Sequence, residues 1–93
     1  MELDDDTVTA LVASRLSRRR RDLDMTLAEL ARGCGISLQQ VHRYEIGANV
    51  ISATMLWQLS RRLRVPVAWF FDELEDHREP AELREQRSSH MGS

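Results

Sequence analysis

The stretch Met25–Gly47, MTLAELARGCGISLQQVHRYEIG, sets its own boundaries. Thr26 followed by Glu29 is a capping-box pattern: the hydroxyl accepts a backbone N–H, and the carboxylate reaches back to the cap's own N–H. Ser37 followed by Gln40 repeats it. Between the two, Gly35 suits a left-handed helix end, and Gly47 stops the second segment. Two helices this short are not stable alone in water. They must pack on other elements, and that packing leaves one face of the second helix turned outward.

The rest of the chain supplies those elements. A first helix is expected from about Val8 to Asp22, with Val8, Leu11, Val12, Leu16 and Leu23 near the i, i+3, i+4 template. Ser52 caps a fourth helix, Ala53 to about Leu63, with Leu56, Leu59 and Leu63 on one stripe. Pro66 suits the first turn of a short fifth helix, Val67 to about Leu74. No segment alternates as a strand would. The expected architecture is all-α with five helices over residues 8–74. A frayed acidic N-terminus, residues 1–7, precedes it, and a polar, flexible tail, residues 75–93, follows. Within that tail Pro80–Gln86 forms at most a marginal helix.

Composition narrows the function. With 93 residues and 42% apolar content there is one small core and little chain left to shape a substrate cleft. The single cysteine, Cys34, is expected to be a small buried residue, and it excludes an internal disulfide framework. His42, His77 and His90 share no metal-ligand spacing, and there is no Gly-rich phosphate loop or nucleophile elbow. No metal, cofactor or catalysis is therefore expected. No apolar run reaches the ~18 residues of a membrane span, so no membrane is expected either, and the expected location is cytoplasmic. The net charge of −2 hides a division: residues 1–10 carry −4, residues 11–71 carry +6 and residues 72–93 carry −4. A basic middle of this kind suits a polyanion.

At this point the chain resembles the Cro/repressor class of helix–turn–helix domains, the xenobiotic-response-element family. Matching features are Leu16 and the Arg18–Arg21 run, MTLAELA, Gly35–Ile36–Ser37, Val41, Arg43–Tyr44–Glu45, Gly47, Leu56, Leu59 and Leu63–Arg64–Val65–Pro66–Val67. The phrases LQQVHRYEIGAN and VPVAWFF are especially close to a branch of small bacterial regulators. The resemblance covers roughly residues 8–72. It implies a lambda-repressor-like five-helix fold that binds double-stranded DNA and regulates transcription, most simply as a repressor. Three departures stand out. Leu27 occupies a position where the family often has Gln. Asp24 stands where a turn Gly is usual. The loop Ala48–Asn49–Val50–Ile51 lacks the family's lysines, which weakens its grip on phosphate.

Residue roles follow from spacing and from this resemblance. Val41 and Tyr44 (i, i+3) point inward, so Leu38, Gln39, His42 and Arg43 fall on the opposite face. In a major groove Gln39 pairs with adenine, Arg43 with guanine, and Leu38 meets a thymine methyl. Gln40 reaches either bases or its own cap. Thr26 and Ser37 are caps whose helix ends also seat phosphates, and Arg19, Arg21 and Asn49 are further phosphate candidates. The Arg18–Arg21 run sweeps ~300° of helix, so its members cannot all face one partner. By the resemblance, Arg20 pairs with Glu45 and braces the first helix on the third. Trp69, Phe70 and Phe71 cannot all face one core. Val67, Trp69 and Phe70 are therefore candidates for a homodimer interface that sets two recognition helices on a near-palindromic operator. An alternative is a protein-interaction module, an antitoxin or adaptor, whose acidic tail with Leu74 and Leu83 folds on a partner.

Overall fold

The computed structural model describes residues 4–74. Four helices, α1 (Asp5–Asp22), α2 (Leu27–Cys34), α3 (Leu38–Glu45) and α4 (Ala53–Arg62), are followed by a 3-10 segment, Val67–Phe71. Among the described residues there is no strand.

The first helix starts earlier than its apolar pattern predicts. Asp4 accepts the Thr7 N–H at 2.8 Å, and Asp5 and Asp6 occupy the first turn, where the helix's positive end favours carboxylates. From Asp4 onward, the acidic stretch expected to be flexible is thus a helix start. At Thr26 both capping bonds form: the Glu29 N–H donates to Thr26 at 3.0 Å, and the Thr26 N–H donates to Glu29 at 2.9 Å. At Ser37 only half forms. The Gln40 N–H donates to Ser37 Oγ at 3.0 Å, and the Gln40 side chain makes no return bond.

Left-handed backbone appears where the chain must turn. Gly35 (φ 69°) closes α2, and Asp24 (φ 54°) takes the same conformation between α1 and α2. Arg64 (φ 59°) does so after α4, which nothing in its residue type announced. The fifth element is 3-10 rather than α. Its i, i+3 period stacks Val67 under Phe70, so one turn aims both at the core. Phe70 is 1% exposed, and Val67 is partly buried against the core.

The core runs through all five elements. Leu16 of α1, Leu30 of α2, Val41 of α3, Leu59 of α4 and the adjoining Leu63 are fully buried. Leu11 is only half-buried, whereas Ala13 is buried. Leu74 is also buried, 6% exposed. It is a core residue, so it offers nothing to the tail-mediated docking expected of it. Leu83, the Pro80–Gln86 segment and the rest of the tail lie outside the described residues.

Candidate nucleic-acid interface

α3 is anchored by Val41 and Tyr44, both buried. That fixes its rotation, and Leu38, Gln39, His42 and Arg43 emerge together on the solvent side. Gln40 is half-buried at the margin of this face. Ser37 and Thr26, at the N-termini of α3 and α2, are exposed. These two helix starts present backbone N–H groups of positive character to whatever approaches.

The other end of α3 is held by charge. Arg20 Nε and Nη2 donate to the two carboxylate oxygens of Glu45 at 2.5 and 3.0 Å, a bidentate pair. Arg20 Nη1 also donates to the Met25 carbonyl at 2.8 Å, which ties in the α1–α2 turn. The side chains are 12% and 6% exposed. The hydrogen bond to Glu45 raises the Arg20 pKa further above its ordinary value, against the opposing effect of burial. One arginine thus joins α1, the turn and α3.

The neighbouring arginines separate. Arg19 does not point with Arg20; its Nε donates to the Leu63 carbonyl at 2.9 Å, closing the end of α4. This engages one nitrogen of the half-buried Arg19 within the fold. Arg21 is exposed and, with Arg18 and Ile46, lines a groove between α1 and the end of α3. Asn49 is half-buried and lines a small apolar cleft with Val8, Tyr44, Ile51 and Phe71.

Arg15 has a role that sequence reasoning missed. It donates from Nη2 to the Trp69 carbonyl at 2.6 Å, and its guanidinium carbon lies 3.9 Å from the centre of the Trp69 ring. Asp72 and Glu73 approach its nitrogens at 3.5 and 3.9 Å. The signal was present: Val8, Val12, Arg15 and Arg19 continue one helical stripe (i, i+4, i+7, i+11), so both arginines follow an apolar face inward.

This arrangement also revises the dimer candidates. Phe70 is enclosed by the chain's own core and offers no surface to a second copy. Trp69 is half-buried, with Arg15 over its face and Phe70 at its edge, ring centres 5.1 Å apart. Val67 is half-buried. Burial raises the Cys34 thiol pKa, with nearby Arg62 opposing in a smaller degree. Among the described residues no cluster of three or more His, Cys, Asp or Glu could hold a metal. No described helix is long and apolar enough to cross a membrane.

Two short helices joined by a left-handed glycine, the second buried along one side and polar along the other, make a helix–turn–helix of the kind that binds DNA. The chain belongs to the HTH_3 helix-turn-helix family, whose model matches residues 16–70. It is 43% identical over 68 residues to the transcriptional regulator in ATPase CF(0) region of Rhodospirillum rubrum, covering 73% of this chain and 63% of that one. An HTH-type transcriptional regulator of Sinorhizobium medicae is 40% identical over 62 residues, 67% of this chain and 45% of its own length. The chain therefore spans less than two thirds of these curated relatives. Two solved structures share the fold. The HTH_3 family transcriptional regulator from Vibrio cholerae has a TM-score of 0.69 at 21% identity, over 75% of this chain and 39% of that one. The clp gene regulator ClgR from C. glutamicum has a TM-score of 0.69 at 24% identity, over 77% and 94%. The protein is a member of a family of sequence-specific DNA-binding regulators.

Proposed function

We propose that the chain represses transcription by binding a near-palindromic operator as a dimer, with residues 37–46 lying in the major groove of each half-site. One observation carries the reading. The outer edge of α3 presents Leu38, Gln39, His42 and Arg43 together, while its opposite side is fixed by Val41, Tyr44 and the buried Arg20–Glu45 pair. A reading surface needs such fixity, because base contacts discriminate only when the side chains arrive in register.

In this reading Gln39 pairs with adenine and Arg43 with guanine, while Gln40 and His42 contact bases or backbone beside them. Thr26, Ser37 and Asn49 meet phosphates, as does Arg21 from α1. The dimer forms through the Val67–Trp69 edge and sets its two reading helices ~34 Å apart. Residues 4–74 act as the DNA-binding unit, and 75–93 are dispensable for it.

The test begins with duplexes selected from random or genomic DNA. Replacing Gln39 and Arg43 by Ala should erase the preference for selected over random duplex, while binding to random duplex falls much less. Equal losses on both would refute the assignment. Affinity should also fall with salt at a log–log slope of about −0.9 for each phosphate neutralised. Light scattering that shows only monomer on an excess of operator would remove the dimer.

A further inference from the structure

Arg15, Arg18 and Arg21 stand three residues apart on α1. Side chains at that spacing are neighbours and step gradually round a helix. The first of the three is met by the end of the described chain, where Asp72 and Glu73 approach its nitrogens at 3.5 and 3.9 Å. Arg18 and Arg21 are exposed, and among the described residues the ion pairs are those of Arg15 and Arg20. Both line an open groove of about 590 Å³ between α1 and the end of α3. Ala10, Ser14 and Ser17 give it small side chains on the α1 side, and Ile46, 62% exposed, lines the other. Its own carboxylates are Asp22 and Glu45, the second already held by Arg20.

Two guanidinium groups beside an exposed aliphatic side chain suit a peptide in which carboxylates flank an apolar residue. A sugar–phosphate backbone matches the charge but brings little that would cover Ile46. The chain carries such a peptide just past Leu74: residues 79–85 read EPAELRE, with Leu83 among Glu79, Glu82 and Glu85. It also departs from the right place. At the ~100° step of a helix, Arg18 lies about 60° round α1 from Arg15, and Arg21, Ala10 and Ser17 lie about 120–160° round in the same sense. On a cylinder about 10–12 Å wide that path is on the order of 15 Å. Leu83 follows Glu73 by ten residues, a reach of ~33 Å when extended.

We infer that residues 75–87 form a strap that runs from Arg15 round α1 and seats Leu83 against Ile46, with Glu79, Glu82 and Glu85 on Arg18 and Arg21. Seating needs only the groove, whereas its consequence rests on the DNA reading above. Arg21 is assigned there to phosphate, and Arg43, assigned to guanine, lies one turn before Ile46 on α3. The seated strap competes with the duplex for these cations, so DNA binds once the strap is released.

The experiment uses the full chain. One variant combines Glu79→Gln, Glu82→Gln and Glu85→Gln, and a second carries Leu83→Ala alone. Amide NMR without DNA and fluorescence anisotropy on selected and random duplexes compare them with wild type. Both variants should shift the resonances of Ser14, Ser17, Arg18, Arg21 and Ile46, by the same amount at every protein concentration. Both should bind duplex more tightly, about fivefold for a strap seated about 80% of the time, since only the open fraction binds. The gain should shrink as salt rises, because exposed ion pairs are screened. Leu83→Ala changes no charge, so its tighter binding separates release of the strap from a general loss of repulsion. Groove resonances that ignore both variants overturn the strap. Shifts that grow with protein concentration overturn it as an intramolecular contact and assign the segment to a second copy. Groove shifts with no gain in affinity for a duplex that wild type prefers overturn the competition. Groove shifts in a protein with no preferred duplex overturn the DNA reading and leave the strap standing.

Discussion

Two arginines of α1 leave the same helix five residues apart, are almost equally buried, and are held in different ways. Arg20, 12% exposed, meets a carboxylate that is itself 6% exposed and pairs with it through two hydrogen bonds. Arg15, 11% exposed, meets a carbonyl and an indole face, and its two carboxylates are 56% and 53% exposed. Its Nε is buried without a hydrogen-bond partner. The first tie is closed and charge-balanced, and it braces the helix proposed to read DNA. The second is open at one side and braces the C-terminal 3-10 segment. Rigidity in this small fold is therefore placed selectively, with the stiffer joint behind α3.

The largest effect should come from halving the closed tie. Arg20→Ala strands the Glu45 carboxylate out of water, at a cost of about 3–5 kcal/mol. A small domain has only about 5–15 kcal/mol in total, so much of the fold should be lost near body temperature. Urea unfolding followed by circular dichroism gives the value. Replacing both members, Arg20→Met with Glu45→Leu, removes the stranded charge and should recover most of the loss. An R20A protein as stable as wild type would mean that the pair does not brace α3.

Opening the second tie should cost less. Arg15→Met keeps an apolar stem against Trp69 and removes the guanidinium, while Asp72 and Glu73 stay hydrated in its absence. The expected loss is about 2 kcal/mol, made of one charge-assisted hydrogen bond and one cation–π contact. In a Trp57→Phe background, Trp69 emission should move to longer wavelength as the 3-10 segment loosens, while binding to the selected duplex is retained. A loss as large as that of Arg20→Ala would erase the distinction between the two ties.

Why one arginine was readable in the sequence and the other was not has a physical cause. The partnership of Arg20 with Glu45 was expected because the resemblance placed both at matched positions. Capped helices and the stripe Leu56–Leu59–Leu63 were likewise available from local rules of period and turn chemistry. Arg15 and Arg19 instead continue an apolar stripe, and a charged residue on such a stripe reads as solvated until the carbonyls waiting for it, on Trp69 and Leu63, are placed by tertiary packing. Phe70 failed for a related reason. Three adjacent aromatics cannot all be core on an α-helix, but which one is buried depends on the segment being 3-10 and on its phase. The start of α1 was misplaced because its first turn is fixed by the Asp4 cap and not by apolar period. The face of α3 was readable because burial of Val41 and Tyr44 alone determines it.

The smallest effect concerns the helix that neither arginine holds from its side chain outward. α2 begins at the complete capping box, and its Glu29 carboxyl is held below its ordinary pKa, first by the bond from the Thr26 backbone N–H and then by the Thr26 side chain. A carboxyl whose pKa falls on folding contributes stability fully above its unfolded value, and that contribution is lost as pH falls through the lower folded value. Glu29 therefore weakens α2 only in acid, whereas the guanidinium of Arg20 keeps its charge throughout that range. Thr26→Ala should cost about 1 kcal/mol at neutral pH through loss of the cap. Glu29→Gln should cost less there, since the amide oxygen still accepts the Thr26 N–H, and it should flatten the acid limb of stability as pH falls below the ordinary carboxyl range. Urea midpoints measured across that range test the sign. A Glu29→Gln variant with an acid limb as steep as wild type would place the acid sensitivity elsewhere, with the Asp4 cap of α1 next in line, since its carboxyl is lowered in the same way by the Thr7 N–H.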